Sequence, residues 1–227
     1  RFQPTPELIE TLDGPIDGLI VASPANPTGT MMTPEELVRL AVYCDAQSIR
    51  LVSDEIYHGI TFGGRAATAM ASSDHAFVVN SFSKYFCMTG WRLGWMIVPE
   101  DLVRPIECLA QNLYISPPTL SQHAAVAAFD CAAELDGHVA RYARNRDVLL
   151  ERLPAAGLEN LAPVEGAFYI YADAGQITND SEALCRKVLD ETGVAMTPGT
   201  DFDTQRGHRF VRISFAGTTE DMATAGD

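Results

Sequence analysis

Apolar and polar positions alternate so as to divide the chain into short apolar runs separated by amphipathic stretches. After a polar, proline-containing opening, in which residues 6–12 predict a short helix, Gly18–Ala22 (GLIVA) reads as a buried strand. The SPANPTGT that follows excludes both helix and strand, and Pro27 favours an extended Asn26. Thr33 then opens a helix as N-cap, with Pro34 at the first helical position and Glu36 closing a capping box; this helix is expected to reach about Ala46. Residues 50–53, 76–80 and 94–98 predict three more strands. Such runs in strand–helix–strand order predict an α/β domain with a mainly parallel sheet, buried on both faces.

From Glu100 to about Leu153 the pattern is helical, with breaks expected at residues 115–119 and at Asp136 and Gly137. The last of these helices is rich in arginine (Arg141, Arg144, Arg146, Arg152) and suited to link two domains. After Pro154 the texture changes to that of a small α+β domain: an apolar run over residues 167–172, a helix over 180–192, then VAMTPG and a strand-like stretch over 209–216. Thr218, Thr219 and Glu220 announce one more helix, which Asp227 leaves short of three turns. The expected division is residues 1–137 and residues 138–227.

Composition narrows the function classes. The 227 residues, 47% hydrophobic and 20% charged, are those of an ordinary globular chain with room for one large or two small domains. A formal net charge of -14 argues against nucleic acid as a partner, because its readers carry a basic face. Five cysteines (Cys44, Cys87, Cys108, Cys131, Cys185), scattered and without a C-x-x-C pair, indicate neither a disulfide framework nor a zinc site and fit a reducing cytoplasm. No apolar run reaches the roughly 18 residues of a membrane span. Arg1 opens no recognisable signal peptide, and the missing initiator methionine suggests a trimmed or partial chain.

Candidate chemistry gathers where the apolar runs end. In open α/β sheets ligands bind beyond the carboxyl ends of the strands, and Asn26, Asp54 and Lys84 all stand at such ends. Lys84 leaves the third strand in VVNSFSKYFCMTGWRLGW, followed by Arg92. A primary amine forms an imine with an aldehyde once desolvation or a nearby positive charge keeps it neutral. Taken alone, Lys84 reads better as a lysine whose stem packs on the core while its head reaches water. Ser81, Ser83 and Arg92 make a suitable phosphate set, and equally make plain loop chemistry. Asp54 suits a protonated ring nitrogen or a helix cap. Tyr57 and Asn26 can each hydrogen-bond a phenolic oxygen, or serve as ordinary turn residues.

The combination decides. SPANPTG, SDEIY, SFSKYFCMTGWRLGW and FVRISFA, in this order, closely resemble the class I/II aminotransferases, fold-type I enzymes dependent on pyridoxal 5'-phosphate (PLP). The resemblance spans nearly the whole chain. It implies the aspartate aminotransferase-like fold, with residues 1–137 as the C-terminal part of the PLP-binding large domain and 138–227 as a small, truncated C-terminal domain. It implies that Lys84 carries the internal aldimine, that Asp54 pairs with the pyridine nitrogen, and that Tyr57 and Asn26 contact the phenolic oxygen. Ser81, Ser83 and Arg92 then hold the phosphate, and Arg212 in FVRISFA binds the substrate α-carboxylate. Freed by substrate, Lys84 would act as the base that moves the proton.

The expected activity is therefore interchange of an amino acid and a 2-oxo acid by a cytoplasmic homodimer, with no nucleic-acid or membrane partner. Two alternatives share these motifs: a carbon–sulfur β-lyase of the same fold, and an aminotransferase-like ligand-sensing domain of a transcriptional regulator. Residues 1–25 contain no glycine-containing phosphate loop, ring-stacking aromatic or dimer-forming segment of the kind such enzymes carry upstream, so residues 1–227 alone are expected to be poorly active. In aspartate-specific relatives of one subgroup an arginine precedes YxxPP; here Gln111 stands near that position before Tyr114–Pro118, which weakens a dicarboxylate preference. The same resemblance places Tyr114 and Ser116 close to a partner subunit's site.

Overall fold

A computed structural model describes residues 2–226, which form two compact units. One comprises Gln3–Pro24 and Met31–Asp136; the other comprises Phe2, Ala25–Thr30 and the chain from Gly137 onward.

In the first unit, α1 (Pro6–Ile9) is shorter than the residues 6–12 expected. Thr11 donates both its N–H and its hydroxyl to the Leu8 carbonyl, which closes the helix into a turn. The sheet has the order β1 (Gly18–Ala22), β2 (Arg50–Asp54), β3 (Phe77–Ser81), β4 (Gly94–Ile97). The first three strands are parallel and β4 is antiparallel. Helix α2 (Pro34–Ala46) starts as its sequence dictates: the Thr33 side chain accepts the Glu36 N–H, and Glu36 reaches back to the Thr33 N–H. Its apolar stripe of Leu37, Leu40, Ala41 and Cys44 joins Val21, Leu51 and Val78 in one buried cluster.

Among the described residues the sheet is covered on one face, not on both as expected. Val21 is 3% exposed whereas its neighbour Ile20 is 77% exposed, and Met96 on β4 is 50% exposed. Successive strand residues point to opposite faces, so the side opposite the α2 cluster stands open. Helices α3 (Glu100–Leu113) and α4 (Thr119–Ala128) likewise leave Leu109, Leu113, Leu120 and Val126 exposed. Among the described residues no helix is long and apolar enough to cross a membrane.

A second expectation fails at Asp136 and Gly137. Helix α5 (Ala132–Arg152) runs through both, and the chain breaks instead in a short 3-10 turn, Phe129–Cys131. A mid-helix glycine costs about 1 kcal/mol relative to alanine. The buried positions Leu135, Tyr142 and Leu149 along α5 outweigh so small a penalty.

The second unit holds an antiparallel sheet of order β5 (Asn160–Leu161), β6 (Tyr169–Asp173), β8 (Phe210–Ser214), β7 (Thr197–Pro198). Helices α6 (Ser181–Thr192) and α7 (Thr219–Ala225) complete it. Strand β6 begins later than the apolar run because Ala167 is in the left-handed region at φ 58. Ile170, Ala172, Val211 and Phe215 are fully buried. Asn145 on α5, also fully buried, donates to the carbonyls of Phe215 and Gly217 and accepts the Thr219 hydroxyl, which ties α5 to the start of α7.

Candidate active site

Parallel pairing brings the carboxyl ends of β1, β2 and β3 to one end of the sheet, with Ala22 opposite Asp54 and Asp54 opposite Val79. Asp54 is the last residue of β2 and half-buried; its Oδ1 accepts the Ile56 N–H at 3.1 Å. That bond turns the chain at once, and three residues on Tyr57 is packed to 4% exposure. The Nζ of Lys84 lies 5.9 Å from the Tyr57 ring centroid. The end of β2 and the turn after β3 therefore meet at these two side chains.

The turn after β3 is anchored by Phe82, whose ring packs against Phe86, Trp95 and Phe129 at centroid distances of 4.8, 5.0 and 5.7 Å. With that ring buried, the flanking hydroxyls draw together. Ser81 Oγ accepts the Ser83 N–H at 3.0 Å, and the two Oγ atoms are 2.9 Å apart. The Thr89 hydroxyl donates to the Ser83 carbonyl at 2.6 Å and holds the returning chain. Antiparallel pairing of Ser81 with Gly94, and a Phe82 N–H to Leu93 carbonyl bond, bring Arg92 back toward the serines. Arg92 is exposed and left-handed (φ 51, ψ 51), with Nη1 donating to the Thr89 carbonyl at 2.9 Å. Tyr85, next to Lys84, donates its hydroxyl to Asp136 Oδ1 at 2.6 Å; burial and then that carboxylate push its phenol up to about 12.

The second unit holds Asn26 and Arg212 together. Arg212 pairs in register with Tyr171 on one side and Thr197 on the other. Its Nη1 donates to Asn26 Oδ1 at 2.8 Å and its Nη2 to Thr197 Oγ1 at 3.1 Å. The guanidinium lies 4.5 Å from the Tyr169 ring centroid and 4.8 Å from that of Phe202, so it is oriented by two aromatic faces. Its Nε is buried, with no hydrogen-bond partner among the described residues.

The eight residues singled out in the sequence thus fall into two sets: Asp54, Tyr57, Ser81, Ser83, Lys84 and Arg92 in one unit, Asn26 and Arg212 in the other. Sequence reading missed the supports around them. Thr197, Tyr169 and Phe202 fix Arg212, and Glu55 and His58 brace the turn that carries Asp54 and Tyr57. Of these, Glu55 lay within SDEIY, Thr197 within VAMTPG and Tyr169 within the apolar run 167–172, but none had been given a supporting role.

Comparison with known proteins gives concordant results. The family description "Aminotransferase class I and II" matches residues 3–226. A protein of Mycobacterium tuberculosis named valine–pyruvate aminotransferase is 55% identical over 99% of this chain and 59% of its own length. A Thermus thermophilus aspartate/prephenate aminotransferase is 36% identical over 99% of this chain and 58% of its own length. Among solved structures, an aminotransferase from Mycobacterium tuberculosis superposes with a TM-score of 0.96 at 54% identity, covering 99% of this chain and 59% of that one. The chain thus spans a little under three fifths of these relatives' length.

Proposed function

Because the chain belongs to the class I and II aminotransferases and shares their aspartate aminotransferase-like fold, we propose that the whole protein is a PLP-dependent transaminase interchanging an amino acid and a 2-oxo acid. One observation supports this reading: Asp54 ends β2, Ser81 ends β3 and the turn after it carries Ser83 and Lys84, and within this one compact unit Lys84 Nζ lies 5.9 Å from the Tyr57 ring centroid while the two serine hydroxyls are 2.9 Å apart. That set fits PLP, which brings a phosphate, a basic ring nitrogen, a phenolic oxygen and an aldehyde. Ser81, Ser83 and Arg92 would hold the phosphate, Asp54 the protonated ring nitrogen, Tyr57 and Asn26 the phenolic oxygen, and Lys84 the aldehyde carbon.

When bound, PLP supplies an electron sink for the pair left behind as a proton leaves the amino acid's α-carbon. The chain's own residues do the rest. The Asp54 side chain would pair with the protonated ring nitrogen. The Lys84 amine would accept the proton from the substrate's α-carbon and hold it for return. Arg212 offers the α-carboxylate a planar fork, held in place by Asn26, Thr197 and the two rings.

For substrate, the 55% identity to a valine–pyruvate aminotransferase favours an aliphatic amino acid paired with a small 2-oxo acid, and the neutral Gln111 accords with this. We assign the first unit to the PLP-binding large domain and the second to the small domain. Homodimer formation is supported by the exposed Tyr114, Ile115 and Ser116 after α3, and a cytoplasmic location by five free cysteines. The test is absorbance of the whole protein with PLP, before and after separate additions of valine, alanine and aspartate. Transamination converts the cofactor to its pyridoxamine form with valine and restores it with pyruvate. Release of ammonia with return of the starting spectrum would instead mark a lyase.

A further inference from the structure

Behind the turn that carries Asp54 and Tyr57 lies a polar chain that the proposed chemistry does not use. Glu55 is 3% exposed, an unusual place for a carboxylate. Its Oε1 accepts the Ser53 hydroxyl at 3.1 Å and the Ala69 N–H at 2.9 Å. Its Oε2 lies 3.3 Å from His58 Nδ1. The other ring nitrogen, His58 Nε2, is 3.2 Å from the Ser23 carbonyl. A carbonyl only accepts, so Nε2 is the donor in that contact.

The chain reaches Asp54 from behind. Ser23 directly follows β1, and its N–H donates to the Asp54 carbonyl at 3.3 Å while its Oγ accepts the Met32 N–H at 2.9 Å. Ser23 is thus held by Asp54 through its N–H and by His58 through its carbonyl. Asp54 and Tyr57 are the neighbours of Glu55 and His58 in the loop so closed. Every member belongs to the same compact unit.

We propose that Glu55 and His58 are positioning residues, which set the Asp54 carboxylate and the Tyr57 hydroxyl toward the cofactor by tying the SDEIYH turn to the end of β1. The inference rests on the assignment of Asp54 and Tyr57 given above. A plain packing role fits less well: an apolar pair would fill the same space, whereas the observed contacts fix direction at three separate points, the Ser53 hydroxyl, the Ala69 N–H and the Ser23 carbonyl.

The test uses the whole protein, reconstituted with PLP, as Glu55→Gln and His58→Gln, beside Asp54→Asn and the unaltered protein. Two quantities are read below the unfolding temperature: the PLP dissociation constant by equilibrium dialysis, and the pH midpoint of the bound cofactor's absorbance at saturating PLP. Loss of overall stability does not move that midpoint, whereas a displaced Asp54 does. Each positioning variant is expected to weaken PLP about tenfold, the effect of losing one hydrogen bond to a charged group. Each is also expected to shift the midpoint in the same direction as Asp54→Asn, by a smaller amount. Asp54→Asn moving the midpoint while both Gln variants leave it in place overturns the inference and leaves the proposed function standing. Failure of the unaltered protein to bind PLP overturns both. Should one variant not fold, the other decides alone.

Discussion

Arg212 shows how much a residue's role depends on what surrounds it. In sequence it is one arginine between Val211 and Ile213; in the fold its guanidinium is bonded to Asn26 and Thr197 and held against two aromatic rings. A planar fork so held is not replaced by a lysine ammonium. Arg212→Lys is therefore expected to raise KM for the amino acid by about 10- to 100-fold, corresponding to about 1.4–2.8 kcal/mol. Steady-state kinetics of the whole protein across amino acids checks this, and an unchanged KM would remove Arg212 from the carboxylate site. The supports of Arg212 were illegible in the sequence for a physical reason. Tyr169, Thr197 and Phe202 come together only through the register of β6, β7 and β8 and the turn after β7, which no local pattern encodes. The residues at strand ends were legible, because four motifs name them directly.

Among elements, those governed by local signals matched their sequence closely. The capping box of α2 lies entirely within Thr33–Glu36, and both of its hydrogen bonds form. Thr33→Ala should lower unfolding free energy by about 1 kcal/mol, read as a smaller urea midpoint with unchanged slope. Elements governed by tertiary context departed from expectation: α5 crosses Gly137 because its buried residues outvote a glycine, and α1 stops early because its turn is stabilised by Thr11. Gly59 ties two site loops together. It has φ +90, and a Cβ there would meet Tyr85 Cδ2 at 2.7 Å. Gly59→Ala is expected to destabilise by at least about 1–2 kcal/mol and to displace Tyr85 beside Lys84. Denaturation and PLP binding together check that claim.

Cys44, fully buried on α2, adds a pH dependence. Burial, then the nearby Asp45, raise its thiol from 9.0 to about 11. The sign follows from linkage: the unfolded chain loses this proton first, so stability is complete below pH 9 and declines as pH rises toward 11. Cys44→Val should flatten the urea midpoint across that window. An identical alkaline slope in the variant would mean another group is responsible.

At the scale of the whole molecule, two compact units divide the candidate residues six to two. The mainly parallel sheet was legible in the alternation of runs and helices; the order of its strands was not. The open face was not, since the sequence of β1 reads the same whether one side or both are covered. Ile20, Leu113 and Ile115 are 77%, 78% and 80% exposed in residues 2–226. Exposed apolar side chains of this kind bind hydrophobic dyes and other protein surfaces. Residues 1–227 alone are expected to enhance anilinonaphthalene sulfonate fluorescence strongly, and the whole protein to do so weakly. Equal, weak enhancement by both would contradict an open face.

The central claim is the assignment of Lys84, and borohydride reduction of the whole protein with PLP, followed by peptide mass mapping, tests it most directly. The account predicts a single phosphopyridoxyl group on the peptide bearing Lys84, absent from Lys84→Ala. A label on Lys187 instead, or none on any peptide, would contradict it.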